Sequence, residues 1–467
     1  MNIPKEVNLL IHTLQRHGHK AYVVGGCVRD SLLNKEPHDW DLCTSATPEE
    51  MLKILKKGTK LINNNDSFEV ETAILTGEKY GTITFVVNGE HYEITTFRKE
   101  LGYSDGRHPD EIKFTNDIEE DLSRRDFTIN AMAYNDEEGL IDPFGGLNDL
   151  KNKKISCVGK AEDRFNEDSL RILRAIRFAT KYGFYIEKDT SKAIKKLAHN
   201  LDSISKERLR DELCKMIINP YFPVVITSYK DVLAEIIPEF KDSFGFEQHN
   251  PYHCYDVFEH TLQALHYNNH FNCQSDAITR LTILFHDIGK PSSVTWDEEN
   301  PEIMHFYGHG EKSAEITNEI MRRLKFDNET RKAVVELVKY HDAQVEDTEK
   351  SIRRWLNKIG PEQFQRMIEV KIADINAQDL SYLPERLNEI KDVQKLFEKM
   401  KEKEQCFKIK DLAINGKDLI EIGYKPGKKL GNMLNKLLEK VINGDVKNDK
   451  TALIYIAKKN LEKEIER

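Results

Sequence analysis

The 467-residue chain has seven cysteines, scattered and odd in number, with no CxxC pair among them. Cys27, Cys43, Cys157, Cys214, Cys254, Cys273 and Cys406 therefore supply neither a disulfide framework nor a thiolate zinc cluster, which fits a reducing, cytoplasmic setting. No apolar run approaches the roughly 18 residues a membrane span requires, and the opening MNIPKEVNLLIHTLQRHGHK lacks a signal-peptide core, so no membrane partner is expected. Excess positive charge is missing too. The 70 Lys and Arg stand against 79 Asp and Glu, and the net charge of −9 excludes a uniformly basic nucleic-acid coat. Two stretches run against this balance: residues 408–467 hold 14 basic against 9 acidic residues, and residues 160–215 hold 14 against 10. The remainder is correspondingly acidic. Such asymmetry suits an enzyme that grips a polyanion at chosen patches and keeps carboxylates elsewhere for metal.

The length predicts several domains. Residues 1–150 mix short β-rich runs with turns: AYVVGG (21–26), GTITFVV (81–87) and HYEITTF (91–97) read as strands, the last two joined at Asn88-Gly89. Helical periodicity with few glycines takes over after about Asp163 and continues to the end. The expected fold class is α+β, a small mixed-sheet domain followed by mostly helical ones. Its expected divisions are 1–150, 151–240, 241–395 and 396–467.

The first strand runs into Gly25-Gly26-Cys27-Val28-Arg29, and Asp39-Trp40-Asp41 follows shortly after. Aspartates at i and i+2 on a strand share a face and can share a divalent metal. A Gly-Gly turn lets backbone N–H groups approach phosphate. Together these predict a nucleoside triphosphate site, with Gly25, Gly26 and Arg29 at the phosphates and Asp39 and Asp41 on Mg²⁺. Two metals there would activate an attacking hydroxyl and stabilise leaving pyrophosphate. Glu93 reads either as a third carboxylate or as an exposed strand residue.

A Gly-Gly turn followed by DxD is typical of polymerase-β-like nucleotidyltransferases. RRDFTINAMA (124–133), DPFGGLNDL (142–150), EDSLRILRAIRFA (167–179) and ERLRDEL (207–213) resemble, in that order, the signatures of the class II tRNA nucleotidyltransferase and poly(A) polymerase family. The resemblance implies nucleotide- or metal-holding roles for Gly26, Arg29, Asp39, Asp41, Arg125, Asp168, Arg171, Arg174 and Arg177. The segment reads as a helix on which Asp168, Arg171 and Arg174 fall within an arc of about 120°. A carboxylate beside a guanidinium matches the amino donor and ring-nitrogen acceptor that cytosine and adenine share, and mismatches uracil and guanine. Residues 98–114, with Asp105, Arg107 and His108, resemble the flexible loop of family members that add the terminal A; an ordinary hairpin extension is the alternative. Residues 411–449, with Lys425, Lys428 and Lys429, resemble the tail of bacterial members and suit phosphate-backbone contacts.

A second constellation begins near residue 250. His260, His286-Asp287 and Asp374 resemble the H…HD…D pattern of HD-domain metal phosphohydrolases, implying a divalent metal of unspecified identity. Asp342 competes with Asp374 for the last place, while His309 and His341 are candidates for a second metal or a substrate phosphate. The leading expectation is a CCA-adding enzyme acting on the tRNA 3′ end with CTP and ATP. An A-adding enzyme or poly(A) polymerase of the same family is the first alternative, and an HD phosphohydrolase whose nucleotidyltransferase half only binds RNA is the second.

Overall fold

A computed structural model describes residues 1–62, 67–103, 106, 109–271, 275–379, 381, 383–402 and 408–465. The chain forms two compact units, Met1–Pro238 and Glu239–Arg467. The expected sheet and neck regions fall in the first, and the expected metal-binding and tail regions in the second. No helix among the described residues is long and apolar enough to cross a membrane.

The first unit opens with α1 (Lys5–Arg16), β1 (Ala21–Val24), α2 (Gly26–Leu32), β2 (Leu42–Thr44) and α3 (Pro48–Ile54). Thr47 and Glu50 form a reciprocal capping box at the start of α3, with Pro48 in its first turn where no N–H is needed. Strands β3 (Lys60–Ile62), β4 (Ser67–Ile74), β5 (Thr82–Val87) and β6 (Glu90–Thr96) follow. Asn88 and Gly89 both have positive φ, 54° and 76°, so the β5–β6 hairpin closes on the turn that dipeptide favours. Residues 98–114 contain a two-stranded ladder of β7 (Arg98–Leu101) and β8 (Glu111–Phe114); Asp105, Arg107 and His108 lie outside the described residues. After α4 (Ile118–Ser123) come β9 (Ala133–Asn135) and β10 (Gly139–Ile141). The sheet order is β10-β9-β1-β2-β6-β5-β4-β3. It is mixed, as expected: β2 and β6 run parallel, and β1 is antiparallel to both β2 and β9. One side buries Tyr22, Val24, Cys43, Phe97, Ile118 and Leu122 in a common core.

Helices α5 (Gly146–Lys151), α6 (Ala161–Glu167), α7 (Leu170–Tyr182), α8 (Lys188–Leu197), α9 (Lys206–Ile217), α10 (Phe222–Ser228) and α11 (Lys230–Ile236) complete this unit, with β11 (Lys154–Ile155) paired parallel to β12 (Tyr185–Ile186). Helix α7 buries Ile172, Leu173, Ile176 and Ala179 on one side and ends at Gly183, whose φ of 67° suits a residue without Cβ.

The second unit contains α12 (Val257–Phe271), α13 (Ala277–Phe285), the short ladder of β13 (Thr295–Trp296) and β14 (Met304–His305), α14 (His309–Arg323), α15 (Asn328–Tyr340), α16 (Glu349–Ile359), α17 (Pro361–Asn376) and α18 (Leu383–Glu402). Asp276 caps α13 by accepting from the Thr279 N–H, and the helix is apolar nearly all round because it is buried from Thr279 to Phe285. The last helices are α19 (Gly416–Glu421), α20 (Lys428–Ile442) and α21 (Lys450–Ile465), packed on their own core of Leu419, Leu437, Leu438 and Leu453.

Candidate active sites

Strand β1 delivers the chain to Gly25, whose φ of 79° and ψ of −122° disfavour any side chain. A Cβ there would lie 2.8 Å from Arg125 Nη1, so the bare glycine also lets that guanidinium close over the turn. The Val24 N–H donates to the Asp41 carbonyl at 3.0 Å, fastening the 39–41 segment beside the turn. Asp39 and Asp41 precede strand β2 and do not lie in it, contrary to expectation, because the assigned ladder begins at Leu42. Both residues are exposed. Leu42 pairs with Ile94 in the parallel ladder, which sets Asp41 alongside Glu93 one residue earlier, where the side chains project from the opposite face. The surrounding protein desolvates Asp41 although its side chain keeps solvent access. That raises its pKa; Arg125 opposes the shift, and the Glu93 and Asp39 charges add to it. Mutually repelling, oxygen-only donors of this kind fit a hard divalent cation.

Arg29 is nearly fully buried beneath the glycine turn. It pairs with Asp30, donates to Asn130 and lies over the Phe178 and Tyr182 rings at 5.1 and 5.2 Å. A Cβ on Gly26 would sit 3.6 Å from its Nη2. Its charge therefore backs the turn from below. Arg174 and Arg177 also approach Phe178, at 5.7 and 4.9 Å, so three guanidinium groups surround one ring.

The expected continuous arc of Asp168, Arg171 and Arg174 is broken. Helix α6 ends at Glu167, Asp168 is extended (φ −145°, ψ 104°), and α7 begins at Leu170. Asp168 accepts from the Leu170 N–H at 3.0 Å, a local bond that competes with helix continuation. Its other oxygen accepts from Arg208 Nη2 at 2.8 Å. Arg171 instead pairs with Glu167 and donates to the Arg164 and Arg124 carbonyls at 3.2 and 3.3 Å. The two groups thus reach different partners, each held by hydrogen bonds. Arg174 grips one oxygen of buried Asp126 through Nε and Nη2, at 2.9 and 2.6 Å. Burial works against the Asp126 charge, but Arg174 and Asn130 prevail and bring its pKa down to about 2. Arg177 donates to Glu212 at 3.2 Å, and the second Glu212 oxygen is buried without a hydrogen-bond partner. Glu167, Asp126, Arg208 and Glu212 were not singled out from the sequence. All four lie inside the quoted motifs, the one signal that could have marked them.

In the second unit six side chains from five helical segments converge. His260 comes from α12, His286 and Asp287 from the end of α13, Asp374 from α17, His309 from the start of α14 and His341 from the end of α15. Ligand atoms of His260, His286, Asp287 and Asp374 lie within 4.8 Å of one another, as do those of Asp287, His309 and His341. Asp374 belongs to this group; Asp342 is in neither set among the described residues. Each histidine places Nδ1 against a backbone carbonyl: Ala377, Ile283, Phe306 and Val338 for His260, His286, His309 and His341, at 3.2, 2.7, 2.8 and 2.7 Å. A carbonyl can only accept, so each Nδ1 carries a proton and each Nε2 faces inward. Asp287 Oδ2 lies 3.1 Å from His286 and 3.5 Å from His260, while Oδ1 lies 3.5 Å from both His309 and His341. Both oxygens are buried without a directed hydrogen bond, although Lys290 Nζ is 2.7 Å from Oδ2. Burial alone would lower the His286 pKa, but Asp287 and Asp374 lift it to about 10. The centre draws positive charge inward, and its nitrogen and carboxylate donors fit divalent metal.

A family model described as "Poly A polymerase head domain" matches residues 21–156, and one for tRNA nucleotidyltransferase domain 2 matches residues 298–457. A model of the "Probable RNA and SrmB- binding site of polymerase A" matches residues 183–242. The CCA-adding enzyme of Ligilactobacillus salivarius is 33% identical over 99% of both chains. That of Lactobacillus gasseri is 45% identical over 51% of this chain and 58% of its own. The crystal structure of the Bacillus stearothermophilus CCA-adding enzyme in complex with CTP superposes with a TM-score of 0.70 at 27% identity, covering 100% of both chains. With a glycine turn, a carboxylate group and an arginine cluster arranged on the fold these proteins share, the chain belongs to the CCA-adding enzyme family of tRNA nucleotidyltransferases.

Proposed function

We propose that this protein adds C, C and A to the 3′ end of tRNA from CTP and ATP without a nucleic-acid template. The observation that carries this reading is the Gly25 turn with Arg125 closed against it, beside an Asp41 on which the charges of Arg125, Glu93 and Asp39 all act. Asp39 and Asp41 would hold Mg²⁺, which when bound supplies the Lewis acidity that brings the RNA hydroxyl to the α-phosphate and neutralises departing pyrophosphate. The chain's own groups do the rest. The Gly25-Gly26 turn leaves room for triphosphate oxygens, while Arg125 and the guanidinium groups around Phe178 offset the accumulating negative charge. Glu167 orients Arg171, and Arg208 orients Asp168, so that each reads one part of a base edge. Mismatched contacts cost about 1 to 3 kcal/mol each, enough to reject uracil and guanine. Exposed Lys425, Lys428 and Lys429 near the start of α20 suit the tRNA backbone, where position matters and sequence does not. Incorporation of CTP and ATP on tRNA lacking its last three nucleotides tests the reading; a product of A alone, or a long A tail, would overturn it. The A-adding and poly(A) alternatives are not favoured, since full-length relatives are CCA-adding enzymes.

The second unit supports an additional reading as an HD-type phosphohydrolase. His260, His286, Asp287 and Asp374 would hold one divalent ion, and Asp287, His309 and His341 could hold a second. Such ions supply an activated water and a clamp on phosphoryl oxygens. Metal content of the purified protein, measured with and without His286→Ala, tests this; unchanged content would remove it.

A further inference from the structure

A buried charge cluster adjoins the glycine turn. It joins three guanidinium groups, Arg98, Arg124 and Arg125, to two carboxylates, Glu100 on β7 and Asp121 in α4. Asp121 stands at its centre and has no solvent exposure. Its two oxygens serve different groups. Oδ1 accepts from Arg124 Nε and Nη2 at 3.0 and 2.8 Å and from the Arg98 N–H at 3.3 Å. Oδ2 accepts from Arg125 Nη2 at 3.5 Å, and Arg125 Nη1 lies 2.8 Å from where a Gly25 Cβ would stand. Three donors on one oxygen thus fix the direction of the other. Arg124 has a second counter-ion, since Glu100 pairs with it at 3.1 Å. Burying another carboxylate there is costly, because removal from water opposes its charge. Arg124 and Arg125 overcome that burial and hold the Asp121 pKa below the ordinary carboxylate value. What Asp121 adds beyond neutralising Arg124 is Oδ2, aimed at Arg125. Within the cluster three positive charges face two negative ones. The surplus falls on Arg125, whose bond to the cluster is the longest of these and whose Nε is buried without a partner. Its guanidinium is held in direction and keeps its charge for an anion at the turn.

We propose that Asp121 is a positioning residue for nucleotidyl transfer: buried and out of reach of substrate itself, it uses Oδ2 to hold the Arg125 guanidinium against the Gly25 turn, where that guanidinium meets the triphosphate. This rests on the nucleotidyltransferase reading above. In Asp121→Asn the amide oxygen stays with the three donors on the Oδ1 side, and the amide nitrogen faces Arg125. A donor then meets a donor, the counter-charge is gone, and Arg125 leaves the turn.

The test is steady-state addition by the full chain to tRNA lacking its last three nucleotides, together with inhibition by inorganic pyrophosphate. In Asp121→Asn the KM for CTP, the KM for ATP and the inhibition constant for pyrophosphate should rise by one common factor, roughly ten- to 100-fold for a charge-assisted hydrogen bond. The phosphates are common to all three, and pyrophosphate carries no base. Selectivity for C and A over U and G should not move, whereas a general loosening of the site would degrade it. On an Arg125→Ala background Asp121→Asn should leave the three constants unchanged within about twofold, because the carboxylate acts only through that guanidinium. If circular dichroism shows Asp121→Asn unfolded, Asp121→Asn combined with Arg124→Gln removes both halves of the buried pair and takes its place in both backgrounds. Wild-type constants in a folded variant, or an equal rise with and without Arg125, would overturn the positioning role and leave CCA addition standing. A wild type that incorporates neither CTP nor ATP removes the nucleotidyltransferase reading, and this role with it.

Discussion

Asp126→Asn isolates the buried ion pair that positions Arg174 beside Phe178, Arg29 and Arg177. Asp126 is 8% exposed and accepts from the Phe127 N–H, Asn130 Nδ2 and two Arg174 nitrogens. Its pKa falls from 3.8 to about 2. A folded-state value depressed in this way contributes stability that is complete above the unfolded value and disappears as pH falls through the folded one. The shift corresponds to about 2 kcal/mol, present at pH 5 and above and mostly gone by about pH 2. Trp40 is the one tryptophan of the first unit, so replacing Trp296 and Trp355 with Phe makes its fluorescence a local reporter. Urea unfolding of this background, with and without Asp126→Asn, should give stabilities that differ by about 2 kcal/mol or more at pH 6. The gap should narrow by about 2 kcal/mol between pH 5 and pH 2. A gap that stays constant across that window would refute the assignment of the depressed pKa to the Asp126–Arg174 pair. The same variant should raise KM for CTP and ATP together, because Arg174 loses its anchor and neither base is read by Asp126.

Asp41→Ala should abolish addition of both nucleotides with the fold retained by circular dichroism, since it removes a carboxylate at the centre of the cation site; CMP incorporation above background would count against that role. Glu167→Gln weakens the charge-assisted hold on Arg171 by about 1 to 3 kcal/mol, so selectivity for C and A over U and G should drop about tenfold or more in a four-triphosphate competition. Arg208→Ala should reduce selectivity comparably through Asp168, although it lies 40 residues further along the chain. His286→Ala should lose bound metal and any phosphatase activity yet keep CCA addition, because its ligand set is contained in the second unit; a tenfold fall in addition by a folded variant would contradict that separation.

The sequence by itself determined whatever depends on neighbours a few residues away. Gly25 and the Asn88-Gly89 turn were legible because left-handed backbone is costly for other residues. His286 and Asp287 were legible because a buried helix ends directly on them. The division into a sheet domain and a helical remainder followed from the change of hydrophobic period near residue 163, and the mixed sheet from the family resemblance. Tertiary structure alone decided the partners. A helical wheel drawn through Asp168 assumed a continuous helix, but its carboxylate caps the next turn, and its second partner, Arg208, arrives from α9. Asp126 and Arg174 are 48 residues apart, and Glu93 reaches Asp41 only through the parallel β2–β6 register. Asp374 and Asp342 offer the same carboxylate in sequence; the packing of α12, α13 and α17 brings Asp374, and not Asp342, into the ligand set with His260 and His286. Residue type and spacing announce a ligand's chemistry, whereas the few ångströms that make it a ligand are set by the burial of side chains on distant segments.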